Sequence, residues 1–243
     1  MLNYIDIGVG VPVVFIHGLG SKKEAWKPQY ELSDTYRLII PDLRGHGETI
    51  LNDDISVKNF ALDIINLLDH LHIKSAYICG LSLGGIVAQE LYKQRSDLVK
   101  GLILSNTTSY IPPLFAFNII QESSNLLEES EEELIQHILD RGFYNPIHKK
   151  EAENSFLIRD TYMESAMSAI GLNYFPYLPF INKPVLLIGG SHDKVTPSIN
   201  VLMMQMFIHN VTSTIFDSTG HLSNIEQKDE FNKWVRRFIE DNE

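Results

Sequence analysis

Short apolar runs closed by Gly, Pro, Asp or polar turns recur along the chain, at residues 13–16, 38–40, 76–79, 102–104, 185–188 and 213–216. Each has the length of a strand, and most are rich in Val, Ile and Leu at successive positions, as strands covered on both faces require. Helix-period stretches separate them. The clearest follows Ser56, a good N-cap, and places Val57, Phe60, Ala61, Ile64, Leu67, Leu68 and Leu71 on one face. Near the end of the chain Phe231, Trp234, Val235 and Phe238 mark a second amphipathic helix. Strand and helix in alternation predict an α/β fold, a mainly parallel sheet flanked by helices and joined by right-handed crossovers.

The alternation stops between residues 108 and 178, where the pattern is helical and no strand stands out. The predicted organisation is therefore a core domain built from 1–107 and 179–243, with 108–178 inserted as a short helical cap. Within the insertion Leu126, Leu127, Leu134, Ile135, Ile138 and Leu139 fit one helix face, and Glu128, Glu129, Glu131, Glu132 and Glu133 fit its solvated remainder. Aromatics gather here, among them Phe115, Phe117, Phe143, Tyr144, Tyr174, Phe175 and Tyr177. They are expected to supply a small core and to line a pocket beneath it.

A chain of 243 residues suits one folded unit with an insertion. With 20 basic and 31 acidic residues, a net charge of −11 and no basic block, the surface lacks the positive field that nucleic acid or an anionic membrane would need. The single cysteine, Cys79, has no partner for an internal disulfide and reads as a core residue. The first residues carry no basic, apolar leader and no stretch is long enough to span a membrane, so a cytoplasmic location is expected. A homo-oligomer stays open.

The sharpest chemical signal is Gly80-Leu81-Ser82-Leu83-Gly84-Gly85, placed directly after one predicted strand and opening a helical stretch. A serine on so tight a strand-to-helix turn needs small neighbours on both sides, and the turn aims its hydroxyl out of the carboxyl edge of the sheet. Activating that hydroxyl takes a base, and orienting the base takes an acid. His221, after the run 213–216, is the preferred base. Asp193, after the run 185–188, is the preferred acid, with Asp217 second; Asn106 occupies a rival strand end but carries no charge. Backbone N–H groups of Leu83 and of Leu19, in His17-Gly18-Leu19-Gly20, are the candidate oxyanion donors. His17 itself and the turn Asp42-Leu43-Arg44-Gly45-His46-Gly47 read as structural hydrogen-bonding groups. His192 and His209 have no partners at metal spacing, so no metal is expected, and a serine mechanism that needs only water implies no cofactor.

Phe15-Ile16-His17-Gly18, the turn from Asp42 to Gly47, Gly80 to Gly85 and Gly220-His221 together resemble the α/β-hydrolase superfamily over essentially the whole chain outside the insertion. Within it, Gly80 to Gln89 and His221-Leu222-Ser223-Asn224-Ile225-Glu226-Gln227 look like the 3-oxoadipate enol-lactonase branch and its carboxylesterase relatives. The resemblance implies an α/β-hydrolase fold, usually with eight strands, a helical cap, and a triad in the chain order Ser82, Asp193, His221. The expected function is a serine hydrolase that cleaves a small-molecule carboxylic ester or lactone through an acyl-enzyme. A carbon–carbon bond hydrolase and a small-molecule receptor are the alternatives; the first often carries an arginine where Ile86 stands. A carboxylate-bearing substrate would need a basic anchor, for which Arg141, Lys149, Lys150 and Arg159 are candidates. Each reads as surface, so a neutral ester or lactone is the expected substrate.

Overall fold

The computed structural model describes residues 1–114, 121, 124–125, 128 and 130–243. Seven strands form one sheet: β1 (Tyr4–Ile7), β2 (Pro12–Ile16), β3 (Arg37–Pro41), β4 (Ala76–Leu81), β5 (Val99–Ser105), β6 (Val185–Gly190) and β7 (Val211–Phe216). Their spatial order is β1-β3-β2-β4-β5-β6-β7, and every pairing is parallel except β1 against β3. All six predicted strands are present. The seventh, β1, has no counterpart among the predicted runs, because its four residues carry an acidic side chain and only half-buried neighbours at the sheet's edge. Asp6 there takes a two-pronged ion pair from Arg37 of β3 at 2.9 and 2.7 Å. The usual eight strands are not found among the described residues.

Alternate side chains of each strand feed two cores. Val14, Ile16, Ile39 and Ile78 pack beneath α1 (Val57–His70) and α2 (Leu83–Gln94). Val13, Phe15, Leu38, Ile40 and Cys79 pack on the opposite face against Trp26, Phe231, Val235 and Phe238. This burial on both sides is why the strand runs are continuously apolar. α1 starts where its N-cap requires, with the Ser56 hydroxyl accepting from the Asn59 N–H at 3.2 Å.

Between β5 and β6 the described residues form α3 (Glu131–Gly142), α4 (Tyr162–Ser168) and several shorter helical turns. Two isolated bridges, Ser21 with Phe156 and Tyr110 with Asn173, are the only extended pairings there among the described residues. In α3, capped by Ser130, Leu134 and Leu139 are buried while Glu131, Glu132 and Glu133 are exposed, as the predicted helix face requires. Phe115, Phe117, Leu126, Leu127 and Glu129 lie outside the described residues. A further helix, α5 (Ile199–Gln205), joins β6 to β7, and α6 (Lys228–Glu240) is the predicted terminal helix. No described helix is long and apolar enough to cross a membrane.

Candidate active site

β4 ends at Leu81 and α2 begins at Leu83, so Ser82 must redirect the chain within one residue. It does so at φ 56° and ψ −120°, a conformation that costs an L-residue on the order of 1–3 kcal/mol. Two hydrogen bonds hold it: the Ser82 N–H donates to the Ser105 carbonyl at 3.0 Å, and the Thr107 hydroxyl donates to the Ser82 carbonyl at 2.7 Å. Close approach explains the flanking glycines. A Cβ on Gly80 would lie 2.2 Å from the Gly84 carbonyl oxygen, and one on Gly84 would lie 2.2 Å from that of Ile16. The turn is thus pressed against the end of β2, where a Cβ on Gly18 would stand 3.2 Å from the Ser82 Cβ. Leu19, next in the chain, and Leu83, the first residue of α2, line one cavity with Ser82. The amino end of α2 adds positive potential at the same place.

Asp193 and His221 come from the loops that follow β6 and β7. Asp193 Oδ2 lies 2.9 Å from His221 Nδ1 and also accepts from the Asn106 amide at 3.0 Å and the Thr196 hydroxyl at 2.9 Å. Its Oδ1 accepts from the N–H groups of Val195 and Thr196, both at 2.8 Å. Burial pushes this carboxyl up, but the charge and hydrogen bond of His221, with the other donors, outweigh it and hold the carboxyl at about 2. Asp193 is therefore ionised at neutral pH. Asn106 carries no charge; it donates to Asp193 from the neighbouring strand end. Asp217 is exposed and reaches only Ser191, at 3.5 Å, and its neighbour Ser218.

His17 has both ring nitrogens engaged. Its Nδ1 donates to the Gly18 carbonyl at 2.8 Å while Nε2 accepts from the Leu43 N–H at 3.0 Å, an arrangement open only to the neutral ring. The ring thereby ties the loop after β2 to the turn after β3. Burial lowers the His17 pKa and pushes that of His46, 5.2 Å away between ring centres, down to about 3. Asp42, fully buried, accepts from the Lys23 N–H and ammonium and from the Glu48 N–H. These groups brace the site, and of them only His17 also lines a cavity beside Ser82 and His221.

One contributor has no role in the sequence reading. Glu226, buried just beyond His221, accepts from the N–H of Gly220 at 2.7 Å, of Asn145 at 2.6 Å and of Tyr144 at 3.3 Å. Its carboxylate stitches the His221 loop to the inserted segment, and the N–H groups of His221 and Leu222 both reach the Gly142 carbonyl. No local signal marked it, since sequence alone does not pair an acid with backbone so distant in the chain.

Ser82 sits where two cavities meet. One, of about 150 Å³, is lined by His221, Trp26, Ile138, Phe156 and Tyr162. The other, of about 420 Å³, is lined by Leu83, Ile86, Ile111, Ala169 and Ile170. Leu19, Ser82 and Val195 belong to both. Against the sequence expectation, Arg141 is not a purely surface residue, because α3 places it on the wall of the smaller cavity. Lys149 instead pairs with Asp140, and neither Lys150 nor Arg159 lines either cavity. His192 packs on Tyr144, and among the described residues no cluster of His, Cys, Asp and Glu could hold a metal ion.

A profile of the alpha/beta hydrolase family matches residues 13–234. The chain belongs to that family. Among curated relatives, 3-oxoadipate enol-lactonase 1 of Acinetobacter baylyi is 27% identical, with 93% of this chain and 88% of the relative covered. Among solved structures, a thermophilic esterase from Thermogutta terrifontis, with malate bound, superposes with a TM-score of 0.88 at 26% identity, covering 99% of this chain and 93% of that one. A meta-cleavage product hydrolase from Pseudomonas fluorescens IP01 superposes at 0.83 with 25% identity, covering 100% and 95%. As an alpha/beta hydrolase, the chain carries its predicted nucleophile, base and acid after three strand ends on the carboxyl edge of one sheet.

Proposed function

We propose that this hydrolase cleaves a carboxylic ester or lactone through an acyl-enzyme formed on Ser82. The observation that carries the reading is the buried, ionised Asp193 hydrogen-bonded to His221, on the cavity that also exposes the strained Ser82. His221 takes the hydroxyl proton as Ser82 attacks, Asp193 fixes the ring with Nδ1–H toward itself, and the Leu19 and Leu83 N–H groups receive the oxyanion. His221 then returns the proton to the leaving oxygen, so the leaving portion lies on its side, in the smaller cavity. The acyl portion occupies the larger, apolar one. Water attacks the acyl-enzyme with His221 again as base, and no further group is needed to complete the turnover.

Arg141 on the smaller cavity brings a positive charge beside the leaving portion and so favours one that bears a carboxylate. This reverses the sequence expectation of a neutral substrate and agrees with the likeness to an enol-lactonase. A carbon–carbon hydrolase is the second reading, supported by the likeness to the meta-cleavage product hydrolase. Ile86, apolar and buried on the larger cavity, counts against it.

The test measures kcat/KM for a carboxylate-bearing lactone, a neutral aryl butyrate and a vinylogous diketone acid, with wild type and with Ser82→Ala and Arg141→Leu. Ester and lactone turnover that falls on the order of 10³-fold or more in folded Ser82→Ala supports the acyl-enzyme. Covalent labelling by an organophosphonate that persists in Ser82→Ala overturns it. A preference of about tenfold for the charged lactone, abolished in Arg141→Leu, supports the anchor, since one charged hydrogen bond is worth about that much; equal preference in both proteins removes it. Faster cleavage of the diketone acid than of either ester moves the assignment to the second reading.

A further inference from the structure

Helix α5 breaks the rule that a surface helix is apolar on one side only. Val201, Met204 and Ile208, at spacings of three and four, are buried against the sheet. Leu202, Met203 and Met206 stand in solvent on the opposite face, Met206 at 80% exposure, and Ile199, at the same spacing and also exposed, borders the larger cavity. A helix that is apolar all round is ordinarily buried all round. The outer face continues onto its surroundings. The Phe207 ring packs against Phe175 at 5.5 Å, and His209 Nδ1 reaches the Pro179 carbonyl at 3.2 Å, which brings Phe180, 77% exposed, alongside. On the other flank Ser213 of β7 donates to Gln205 at 2.8 Å, and Ile215, also exposed, follows two residues on along the same face of the strand. The exposed part of these side chains is on the order of 800 Å², about what one partner contributes to an interface of standard size and more than the usual largest apolar patch on a monomer.

Charge and hydrogen bonding say what covers it. From Val195 to Phe216 the chain has no Asp, Glu, Lys or Arg, in a protein that is 21% charged with a net −11. A basic or acidic partner would be matched by complementary charge, and a lipid surface by the Lys and Arg that normally flank an interfacial helix. The stretch itself holds none, and Lys183, Lys194 and Asp217 at its borders are few and of mixed sign. A second copy of the same acidic chain, by contrast, can approach only where its own acidic groups are absent. β7 also ends the sheet, and no other strand pairs with its outer edge among the described residues. Hydrocarbon cannot satisfy the backbone groups of such an edge, but an identical edge related by a two-fold axis can.

We propose that the protein forms a symmetric dimer through the outer face of α5, with Phe180, Phe207 and Ile215 in the same contact and β7 paired antiparallel to its copy. The sheet then runs on across the two-fold axis.

Sedimentation velocity from about 1 to about 100 μM, a range that spans association through interfaces of this size, reads the proposal directly. Wild type is expected as a dimer, and Leu202→Glu with Met206→Glu as a folded monomer with kcat/KM for the same ester unchanged. Hydrogen exchange should show the β7 amides at least tenfold better protected in wild type than in that variant. A wild-type monomer throughout the range overturns the proposal, as does a dimer that survives both glutamates. Sedimentation of wild type with phosphatidylcholine vesicles, abolished in the variant, overturns it in favour of a lipid surface. Should the double variant misfold, Met206→Lys alone at the most exposed position serves as the second reading, with the same outcomes.

Discussion

The carboxyl edge of the sheet and the segment inserted after β5 meet over Ser82, yet they are held by different kinds of force. At the sheet edge, position is imposed by backbone: three strand ends deliver Ser82, Asp193 and His221, and glycines with no room for a Cβ fix the turn at Ser82. In the inserted segment, position depends on scattered single contacts: a few backbone bonds, such as the Leu157 N–H to the Gly20 carbonyl at 3.0 Å, and individual side-chain anchors. Glu226 holds Tyr144 and Asn145, Glu131 accepts from the Ile158 N–H at 3.0 Å, and the Thr161 hydroxyl donates to the Gly45 carbonyl at 2.6 Å. Chemistry built on the first kind of support should tolerate few changes, while placement built on the second should degrade one anchor at a time.

The largest effect expected from breaking the sheet-edge side is at Asp193. Asp193→Asn keeps the shape but presents an amide where His221 needs an anionic acceptor, so kcat should fall on the order of 10³-fold or more. Asp217→Asn should stay within about twofold of wild type, since its hydrogen bonds are long and exposed. The opposite ranking in steady-state kinetics would move the acid to Asp217.

On the anchored side, Glu226→Gln places an amide N–H against one of three backbone N–H donors. The His221 loop should shift with the segment it is tied to, and kcat should drop by about 10- to 100-fold, the scale expected when the base sits slightly out of line with the nucleophile. The discriminating readout is the split between constants together with labelling: a purely structural role would lower the folded fraction but leave kcat per labelled site unchanged. Titrating active sites with an organophosphonate beside kcat separates the two.

The smallest effect concerns stability. His17 and His46 are held neutral by burial, His46 down to about 3, whereas the unfolded chain binds protons on both near 6.5. Stability is therefore full above about pH 6.5 and falls as pH drops toward 3, by about 1.4 kcal/mol per pH unit for each ring that stays neutral. Asp193, whose carboxyl is lowered to about 2, adds its own loss only below about pH 4. Urea unfolding at pH 7, 6 and 5 should show that slope, and His46→Asn should reduce it. A flat profile would mean that neither ring resists protonation.

The same contrast explains what could be read from the chain. Gly80, Gly84 and the runs before Ser82, Asp193 and His221 are local signals, because a strained turn and a doubly covered strand each restrict residue type within a few positions. β1 escaped because an edge strand is covered on one side only and its pattern is weak over four residues. α5 escaped for the opposite reason: apolar on both faces, it shows no 3.6-residue contrast. Glu226 acts across a long chain separation, and Arg141 reaches the cavity wall only when helix α3 is docked. Asn106 illustrates the intermediate case. Its strand-end position was legible, but its use as a donor to Asp193 depends on the neighbouring strand.

The Gly142 carbonyl, which accepts from the N–H groups of both His221 and Leu222 at 2.7 and 3.1 Å, carries a consequence for engineering. It makes the end of α3 part of the scaffold beneath His221, so this roof cannot swing aside as a hinged flap without dragging the imidazole with it. A transplant from a relative that replaced the roof wholesale would disarm the enzyme even with every proposed reacting residue retained. A graft that keeps Gly142 to Asn145 and exchanges only what lies outside them should recast selectivity and leave the machinery running.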